Sequence, residues 1–241
     1  MFLSFSIYLR VHLIHLETRF PSAMVGAMRK IKFANGEFYH IYNRGTDKRS
    51  IFTKSQDFDR FLLSMDEFNV VEPIGSIYEN SFLDSDIKLK LKKSKLVNII
   101  CYCLNLNHFH LILEQLADNG ISNYMKSLGG GYTKYFNTQH KRIGVLFQGQ
   151  FKAIHIDSNE YLMHLSAYVN LNNLIHRHRG KVFRSSLDEY FNKSSIRLCK
   201  PDIILDQFRN KGEYKNFAEG SLKDILNRKE ESKELERLLL E

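Results

Sequence analysis

Alternating apolar and polar positions predict three strands in the first half of the chain. Residues 37–43 are rich in aromatic and β-favouring side chains and run into Arg44-Gly45, so we expect a strand that ends in a turn. Two further apolar runs, 97–104 and 108–114, are separated by the asparagine-rich stretch 105–107, which is typical of a turn. These two runs predict a hairpin in the middle of a sheet.

Apolar residues at helical spacing predict the main helices. Between residues 55 and 71 they recur every three or four positions, which places them on one face of a helix. Residues 121–137 show the same spacing, but three glycines at 129–131 interrupt it, so a bent or broken helix is expected. Ser158 is a suitable N-cap for a long helix that runs to about Ile175.

Other segments have weaker patterns. Residues 84–95 alternate lysine with leucine or isoleucine and predict a basic loop or edge ribbon, either a solvated insert or a DNA contact. Residues 145–156 are interpreted as a strand pair or extended segment, and Pro201 begins a further helical stretch. Residues 221–241 predict a charged surface helix whose apolar side is Leu235, Leu238 and Leu239.

The order strand, helix, strand, strand, helix, strand, helix predicts an α+β sandwich of the ferredoxin-like type. In this interpretation helices pack on one face of an antiparallel sheet, and a mostly helical C-terminal extension follows. We divide the chain into an N-terminal extension at 1–28, a main domain at 29–180 and the extension at 181–241. The first of these is expected to be disordered or untranslated, with the true start at Met24 or Met28.

Composition favours a polyanion as partner. Lys and Arg number 35 against 27 Asp and Glu, so the net charge is +8 and the isoelectric point is about 9.3. A basic but otherwise ordinary enzyme is the alternative. Three cysteines form neither a disulfide framework nor a zinc pattern, which fits a reducing cytoplasm. Charged and histidine residues interrupt the apolar N-terminal stretch, so no membrane segment is expected.

His108 and His110 are the first candidate for chemistry. Residues two apart in a strand point to the same face, so both imidazoles can approach one ion while Phe109 packs into the core. This spacing predicts half of a metal site. Two ordinary histidines on a polar strand face would show the same pattern, and a third ligand has to come from elsewhere.

Tyr168 and Asn172 are the second candidate, because four-residue spacing in a helix puts them about one turn apart on one face. The amide oxygen of Asn172 suits a hard divalent ion, and a phenolate at Tyr168 can attack phosphorus. Taken alone, Tyr168 would be an ordinary core tyrosine. Tyr132 and Tyr135 are rival nucleophiles; only Tyr135 has a Gln or Asn four residues later, at Gln139, and it is kept as a minority choice.

Several segments together carry a resemblance to a known family. They are, in chain order, His40 to Gly45, Asp47 to Arg49, Asn107-His108-Phe109-His110-Leu111, Gly144 to Lys152, and Tyr168 to Asn172. In this order they resemble the REP-associated tyrosine transposases, an IS200-like group of HUH single-tyrosine transposases. The similarity covers roughly residues 33–178. Two departures are Leu106 and Asn173, where the family usually has proline; they affect backbone shape and remove no catalytic group.

The resemblance implies a site and a reaction. It implies that His108, His110 and Asn172 bind Mg²⁺ or Mn²⁺ and that Tyr168 is the nucleophile. The family's enzymes cleave one DNA strand, leaving a 5′-phosphate on the tyrosine and a free 3′-OH that can later rejoin strands. Carried over, this predicts a metal-dependent single-strand endonuclease and transposase in the cytoplasm, associated with the nucleoid.

Single-stranded or hairpin DNA is the partner that the resemblance implies, with a homodimer as one option for the assembly. The basic residues that we expect to bind DNA are Arg44, Lys48, Arg49, Lys134, Arg142 and Lys152. Aromatic residues near them could stack on unpaired bases. The alternatives are a catalytically silent DNA-binding protein on the same fold and a metal-dependent phosphoesterase without a covalent intermediate.

Overall fold

The structure is a computed structural model that describes residues 31–91, 94–175 and 182–238. Contacts divide the chain into two units, Met1–Lys32 and Phe33–Glu241, and the second unit is described below. Expectations for residues 1–28, for Leu239 and for the side chains of Leu235 and Leu238 lie outside the described part. The division at residues 28 and 180 stays a prediction.

The core of the second unit is a five-stranded antiparallel sheet in the order β4-β1-β3-β2-β5. The strands are β1 (Phe38–Arg44), β2 (Val97–Asn105), β3 (His108–Gln115), β4 (Lys152–Ile156) and β5 (Arg184–Ser185). Strands β1 to β4 alternate with helices as β-α-β-β-α-β, and their spatial order 4-1-3-2 is that of the ferredoxin-like fold. The predicted fold class is therefore confirmed.

Nine helices are described. They are α1 (Ser55–Glu67), α2 (Ile77–Ser81), α3 (Ser85–Leu91), α4 (Gly120–Gln139), α5 (Asn159–Asn170), α6 (Asn172–Ile175), α7 (Leu187–Tyr190), α8 (Asp202–Leu205) and α9 (Lys211–Leu238). A short 3-10 turn, Thr46–Lys48, follows β1. Among the described residues no helix is long and apolar enough to cross a membrane.

Helices cover both faces of the sheet. Phe109 of β3 packs against Phe61 of α1, with ring centroids 5.3 Å apart. Its neighbour His110 points to the opposite face, where its ring lies 5.8 Å from that of Tyr168 on α5. The expectation that the helices share one face is therefore wrong: α1 and α4 cover one face and α5 covers the other. Element order alone leaves the face of the last helix open.

Helix α4 is continuous through its three glycines, so the expected bend or break is wrong. Close packing explains the glycine at position 131, because a Cβ there would lie 2.6 Å from two ring carbons of Phe68. A Cβ at Gly129 or Gly130 would meet nothing within 4 Å. Close packing, and no backbone break, therefore accounts for glycine at position 131.

Alanine substitutions test this account of α4. We expect Gly130→Ala to raise the free energy of unfolding by about 0.5–1 kcal/mol, since alanine has less backbone entropy to lose. Gly131→Ala should lower it by about 1–3 kcal/mol, because the added methyl group collides with Phe68. Urea unfolding followed by circular dichroism measures both. A Gly131→Ala variant as stable as Gly130→Ala would contradict the packing argument.

The long helix predicted after Ser158 is interrupted. Ser158 is its N-cap as expected, accepting a hydrogen bond from the Tyr161 backbone at 3.3 Å. The helix then ends at Asn170, because Leu171 leaves the helical conformation with φ −109° and ψ 12°. Asn172 begins the short helix α6. Tyr168 and Asn172 therefore belong to two successive helices instead of one.

Two other predictions need correction. Residues 85–91 form helix α3, and the loop or ribbon expected there is wrong: leucine and lysine both favour helices, and Ile87 and Leu89 are exposed, so no sheet face buries them. Strand β4 covers only 152–156 of the extended stretch predicted from residue 145. The hairpin is as predicted, except that β2 and β3 each run one residue further, to Asn105 and to Gln115.

The part of the chain after residue 182 packs on the sheet and on α5. Strand β5 pairs with the end of β2, with Ser185 opposite Cys103. The hydroxyl of Ser186 donates to the amide oxygen of Asn170 at 2.6 Å, and the amide nitrogen of Asn170 donates to the hydroxyl of Tyr214 at 2.9 Å. All three side chains are buried. This network joins α9 to the helix that carries Tyr168.

Candidate active site

The two histidines of β3 lie side by side beneath α5. His108 and His110 are buried, with 8% and 4% of their surface exposed. Cross-strand partners share a face, so Arg44 and Asn105 flank His108, and Tyr42 and Cys103 flank His110. The site is therefore built at the end of the sheet where β1 and β2 finish and β3 begins.

Asn107 fixes the proton of His108. The amide nitrogen of Asn107 donates to the Lys48 carbonyl at 3.1 Å, so its amide oxygen faces Nδ1 of His108 at 2.7 Å. In the neutral imidazole, Nδ1 therefore carries the hydrogen and Nε2 offers a lone pair. The Lys48 carbonyl belongs to a strained turn, in which Asp47 and Lys48 both have left-handed backbone angles, with φ 54° and 58°.

Asn172 meets His108 through its amide oxygen. Oδ1 of Asn172 lies 3.2 Å from Nε2 of His108. The amide nitrogen of Asn105 contacts both atoms, at 2.8 Å from the oxygen and 3.0 Å from the imidazole nitrogen. Asn105 and Asn172 are both almost completely buried. Two acceptor atoms thus converge on one amino group.

His40 of β1 supports the second histidine. Its Nε2 lies 2.9 Å from Nδ1 of His110, and the two rings stack with centroids 5.1 Å apart. Burial lowers the pKa of His40 to about 3, so this imidazole is neutral near pH 7. A hydrogen bond of this kind fixes the orientation of a ligand histidine and leaves its other nitrogen for an ion.

Tyr168 completes the cluster from above. Its buried ring lies edge-on to two histidines, with centroids 5.8 Å from His110 and 6.5 Å from His40. The structure therefore brings together all four residues predicted for the chemistry: His108, His110, Tyr168 and Asn172. Whether they act as ligands and nucleophile stays a proposal.

The donor set fits a divalent cation that accepts both nitrogen and oxygen ligands. Within the described residues no group of three or more His, Cys, Asp and Glu side chains is placed to hold a metal ion, so an ion here would need amide oxygen as well as imidazole. Nε2 of His108 and Oδ1 of Asn172 are 3.2 Å apart, close to the separation of about 3 Å between neighbouring ligands of an octahedral ion. Mn²⁺ and Mg²⁺ both match this chemistry.

Some buried polar atoms of the side chains around the histidines have no hydrogen-bond partner. Within the described part of the chain, Oδ1 of Asn105, Nδ2 of Asn172 and Nδ1 of His40 are buried without a hydrogen-bond partner. Each such atom costs about 1–3 kcal/mol, and a role in binding or catalysis is one explanation for that cost.

Two of the predicted DNA-binding residues, Arg44 and Lys152, lie beside the site. Lys152 of β4 is opposite Tyr42, and Arg44 is opposite His108, so both belong to the histidine face of the sheet. The Arg44 side chain donates to Gln148. Burial, and then the positive charge of Arg44, lowers the pKa of Lys152. Two cations that repel each other next to the histidines form a suitable site for a phosphate.

The other predicted DNA-binding residues lie elsewhere. Lys48 is exposed at the strained turn, and Lys134 is exposed on α4. Arg49 and Arg142 line a cavity of about 450 Å³ together with His140, whose ring bonds the buried Asp57 carboxylate at 3.0 Å. Arg177 and Arg179, also basic and near the end of the similarity, lie outside the described residues.

The rival tyrosines belong to the layer of α4, on the opposite face of the sheet. The hydroxyl of Tyr132 donates to the carbonyl of Ile51 at 2.6 Å and is buried. The hydroxyl of Tyr135 lies 3.4 Å from the Asp57 carboxylate. Burial, and secondly the negative charge of Asp57, raises the pKa of Tyr135. Neither tyrosine faces the histidines.

Sequence reasoning gave no role to three residues of this site: His40, Asn105 and Asn107. His40 and Asn107 stand in segments that carry the family resemblance, and Asn105 was taken as a turn residue. The alternation His40-Ile-Tyr42-Asn-Arg44 does put three polar side chains on one face of β1. Their contacts with β3, however, depend on strand register, which no pattern in a single strand specifies.

The fold and the site define a ferredoxin-like α+β protein whose sheet presents a buried pair of histidines, an amide oxygen and a tyrosine. A family model described as "Transposase IS200 like" matches residues 82–172. This stretch is shorter than half of the 241-residue chain, and it contains both histidines, Tyr168 and Asn172. The resemblance predicted from the motifs is confirmed over these residues.

No curated protein matches the sequence. Among solved structures, the chain is similar to a REP-associated tyrosine transposase bound to a REP hairpin. The identity is 14%, the alignment covers 73% of this chain and 91% of the other, and the TM-score is 0.46.

Proposed function

We propose that the protein is a metal-dependent single-strand DNA endonuclease and strand-transferase that forms a 5′-phosphotyrosine intermediate. The observation that carries the proposal is the approach of Tyr168 to His110, next to the pair of donor atoms on His108 and Asn172. These four residues lie within the stretch that matches a transposase family. A buried structural tyrosine alone would not require two histidines beside it, each held by a hydrogen bond to a neighbouring side chain.

The cleavage step uses Tyr168 as nucleophile. The phenol oxygen forms a bond to phosphorus, the bond from phosphorus to the 3′ oxygen breaks, the phenol loses its proton and the departing 3′ oxygen gains one. A divalent cation held by His108, His110 and Asn172 would polarise the scissile phosphate. The Tyr168 ring is buried and packs edge-on to His110, so its surroundings restrict the orientation of the side chain.

Strand transfer is the reverse of this step with a different strand. A free 3′-OH attacks the phosphotyrosine, a new phosphodiester forms, and the phenol oxygen of Tyr168 leaves and recovers a proton. The number of ester bonds is unchanged, so no external energy source is required. Single-stranded DNA, in elements flanked by hairpins, is the substrate class that we propose.

Substrate binding is assigned to the basic residues around the site. Arg44 and Lys152 would hold phosphates next to the scissile one, and Tyr42, half-buried beside His110, would contact a neighbouring base. The remaining proposed contacts, further from the histidines, are Lys48, Arg49, Lys134 and Arg142. Release of counterions by these residues makes the affinity dependent on salt.

Removing the two nearest cations tests this assignment. In Arg44→Ala/Lys152→Ala, the slope of log affinity against log salt concentration should become less steep by about 1.4, since each phosphate contact on a single strand contributes about 0.7. Fluorescence anisotropy with a labelled oligonucleotide at several salt concentrations measures the slope. Lys215→Ala, which removes an exposed charge on α9, is the matched control. Equal slopes in all three proteins would argue against a phosphate site here.

The whole proposal is tested by incubating the protein with single-stranded, hairpin-containing DNA that carries different labels at its 5′ and 3′ ends, with Mn²⁺ or with a chelator. We expect a protein–DNA adduct that survives denaturation in Mn²⁺ only, together with a released strand that ends in 3′-OH. Binding without cleavage would identify a catalytically silent DNA-binding protein. Cleavage without an adduct would identify a phosphoesterase that forms no covalent intermediate.

A further inference from the structure

Asn105 occupies the point at which the proposed metal ligands converge. It is the last residue of β2, opposite His108 in the sheet, and 1% of its surface is exposed. Its amide nitrogen lies 3.0 Å from Nε2 of His108 and 2.8 Å from Oδ1 of Asn172. An amino group carries two hydrogens, so it can donate one to each atom. The positive end of this amide therefore lies between two lone pairs.

The orientation of this amide follows from its neighbours. Asn107 holds the hydrogen of His108 on Nδ1, so Nε2 can only accept. Oδ1 of Asn172 also accepts, and two acceptors 3.2 Å apart repel each other unless something positive lies next to both. The amino group of Asn105 lies next to both atoms and meets this need.

The same orientation leaves the other half of the amide unsatisfied. Across the residues that the structure describes, Oδ1 of Asn105 and Nδ2 of Asn172 are buried polar atoms with no hydrogen-bond partner. Buried polar atoms without a partner are uncommon, and an ion at the site is one explanation for them. Half a turn of the Asn105 amide would exchange its nitrogen for its oxygen at the convergence point.

We propose that Asn105 is a further ligand of the divalent cation, and that its carboxamide rotates to present Oδ1 when the ion binds. This inference rests on the proposed function, because it concerns the same metal site. After this rotation three acceptor atoms would face each other: Nε2 of His108, Oδ1 of Asn172 and Oδ1 of Asn105. They repel each other unless a cation lies between them, and all three can bind that cation. The rotation also removes the amino group from the place of the ion. The site would thus gain an oxygen ligand that the His-x-His pair and Asn172 do not supply.

The proposal and its simplest rival predict opposite signs. If Asn105 is a ligand, removing its side chain weakens cation binding. If its amino group only fills the site in the metal-free protein, removing it abolishes a competitor, so cation binding is unchanged or tighter. A carboxylate at this position needs no rotation, since both of its oxygens accept.

The test is Mn²⁺ binding to the full chain without DNA, measured as the loss of the free Mn²⁺ electron paramagnetic resonance signal. We expect Asn105→Ala to raise the Kd about tenfold or more and Asn105→Asp to lower it. Asn98→Ala is the matched control: Asn98 lies at the other end of β2 and donates to Glu114 at 2.7 Å, so the Kd should not change. Circular dichroism checks that each variant is folded.

The outcomes separate this inference from the function on which it rests. An unchanged or lower Kd in folded Asn105→Ala overturns the assignment of Asn105. If that variant does not fold, an unchanged or higher Kd in Asn105→Asp overturns it instead. His108→Ala tests the metal site itself: if Mn²⁺ binds to this variant as it does to the unmodified protein, the proposed function fails at its metal site. Loss of binding in His108→Ala with normal binding in Asn105→Ala leaves that site intact and removes Asn105 from it.

Discussion

Tyr168→Phe is expected to abolish the covalent protein–DNA adduct and to reduce strand cleavage by about 10⁴-fold or more, as removal of a nucleophile does in other enzymes that use covalent catalysis. The substitution removes one oxygen from a buried ring that packs edge-on to His110 and His40. Phenylalanine keeps that packing, so the fold and DNA affinity should be retained. Denaturing gels with DNA labelled at the 3′ end measure the adduct, and anisotropy measures binding.

Tyr135→Phe is the matched control for this experiment. It removes the hydroxyl of the rival tyrosine, which contacts Asp57 on the opposite side of the sheet. Adduct formation should be unchanged. The assignment of the nucleophile is wrong if the adduct persists in Tyr168→Phe, and loss of the adduct in Tyr135→Phe alone would transfer the role to Tyr135.

His110→Ala is expected to reduce cleavage by about 10²- to 10³-fold while the Kd for single-stranded DNA changes by less than about threefold. The reason is that His110 lies beneath Tyr168 among the proposed ligands, whereas Arg44 and Lys152 are assigned to phosphate binding. Steady-state cleavage at several Mn²⁺ concentrations, beside anisotropy, separates the two effects. The affinity for Mn²⁺ should fall as well.

His155→Ala is the control for a strand histidine of the same sheet. His155 lies on β4, is partly exposed and pairs with Glu37 at 2.8 Å, so its removal should leave cleavage intact. If His110→Ala cleaves at the normal rate, the metal site proposed on β3 is refuted. If it loses DNA binding together with cleavage, His110 acts in recognition as well as in chemistry.

The sheet was largely predictable because its strands have strong local signals. β1 and the β2–β3 hairpin consist of aromatic and β-branched runs that end in turn residues. No observed end of these strands differs from the predicted one by more than one residue. The two-residue β5 has too few positions to show any alternation. The fifth strand was not predicted because it is too short, and the pairing of two residues depends on tertiary contacts alone.

The helices show where local rules are overridden. Three glycines predicted a break in α4, but its interior packs so closely on Phe68 that glycine is needed within a continuous helix. Helical spacing predicted one helix from Ser158 to Ile175, and spacing cannot report that Leu171 leaves the helical conformation. Residues 85–91 alternate in polarity like a strand but do not pair with the sheet. The helix propensity of leucine and lysine therefore decides their conformation, and they form a helix.

The chemistry of the site was predictable where it depends on short spacing. The two histidines are two residues apart, and Tyr168 and Asn172 are four apart, so sequence reasoning could select them. Asn105, Asn107 and His40 contribute through cross-strand register and through the direction of single hydrogen bonds. These depend on which strands are neighbours in space, and a single sequence does not report that.

Strand β5 has a consequence for the colloidal behaviour of the protein. The outer edge of β2 would otherwise present unpaired backbone groups, and such an edge can recruit strands from other molecules. Beside β5, the Ser186 backbone donates to the Tyr102 carbonyl at 3.0 Å, the Tyr190 hydroxyl to that of Ile100 at 3.0 Å and the Lys200 backbone to that of Ile99 at 2.8 Å. The chain after residue 182 thus covers the exposed edge of β2. A protein truncated before residue 182 would be prone to self-association through that edge.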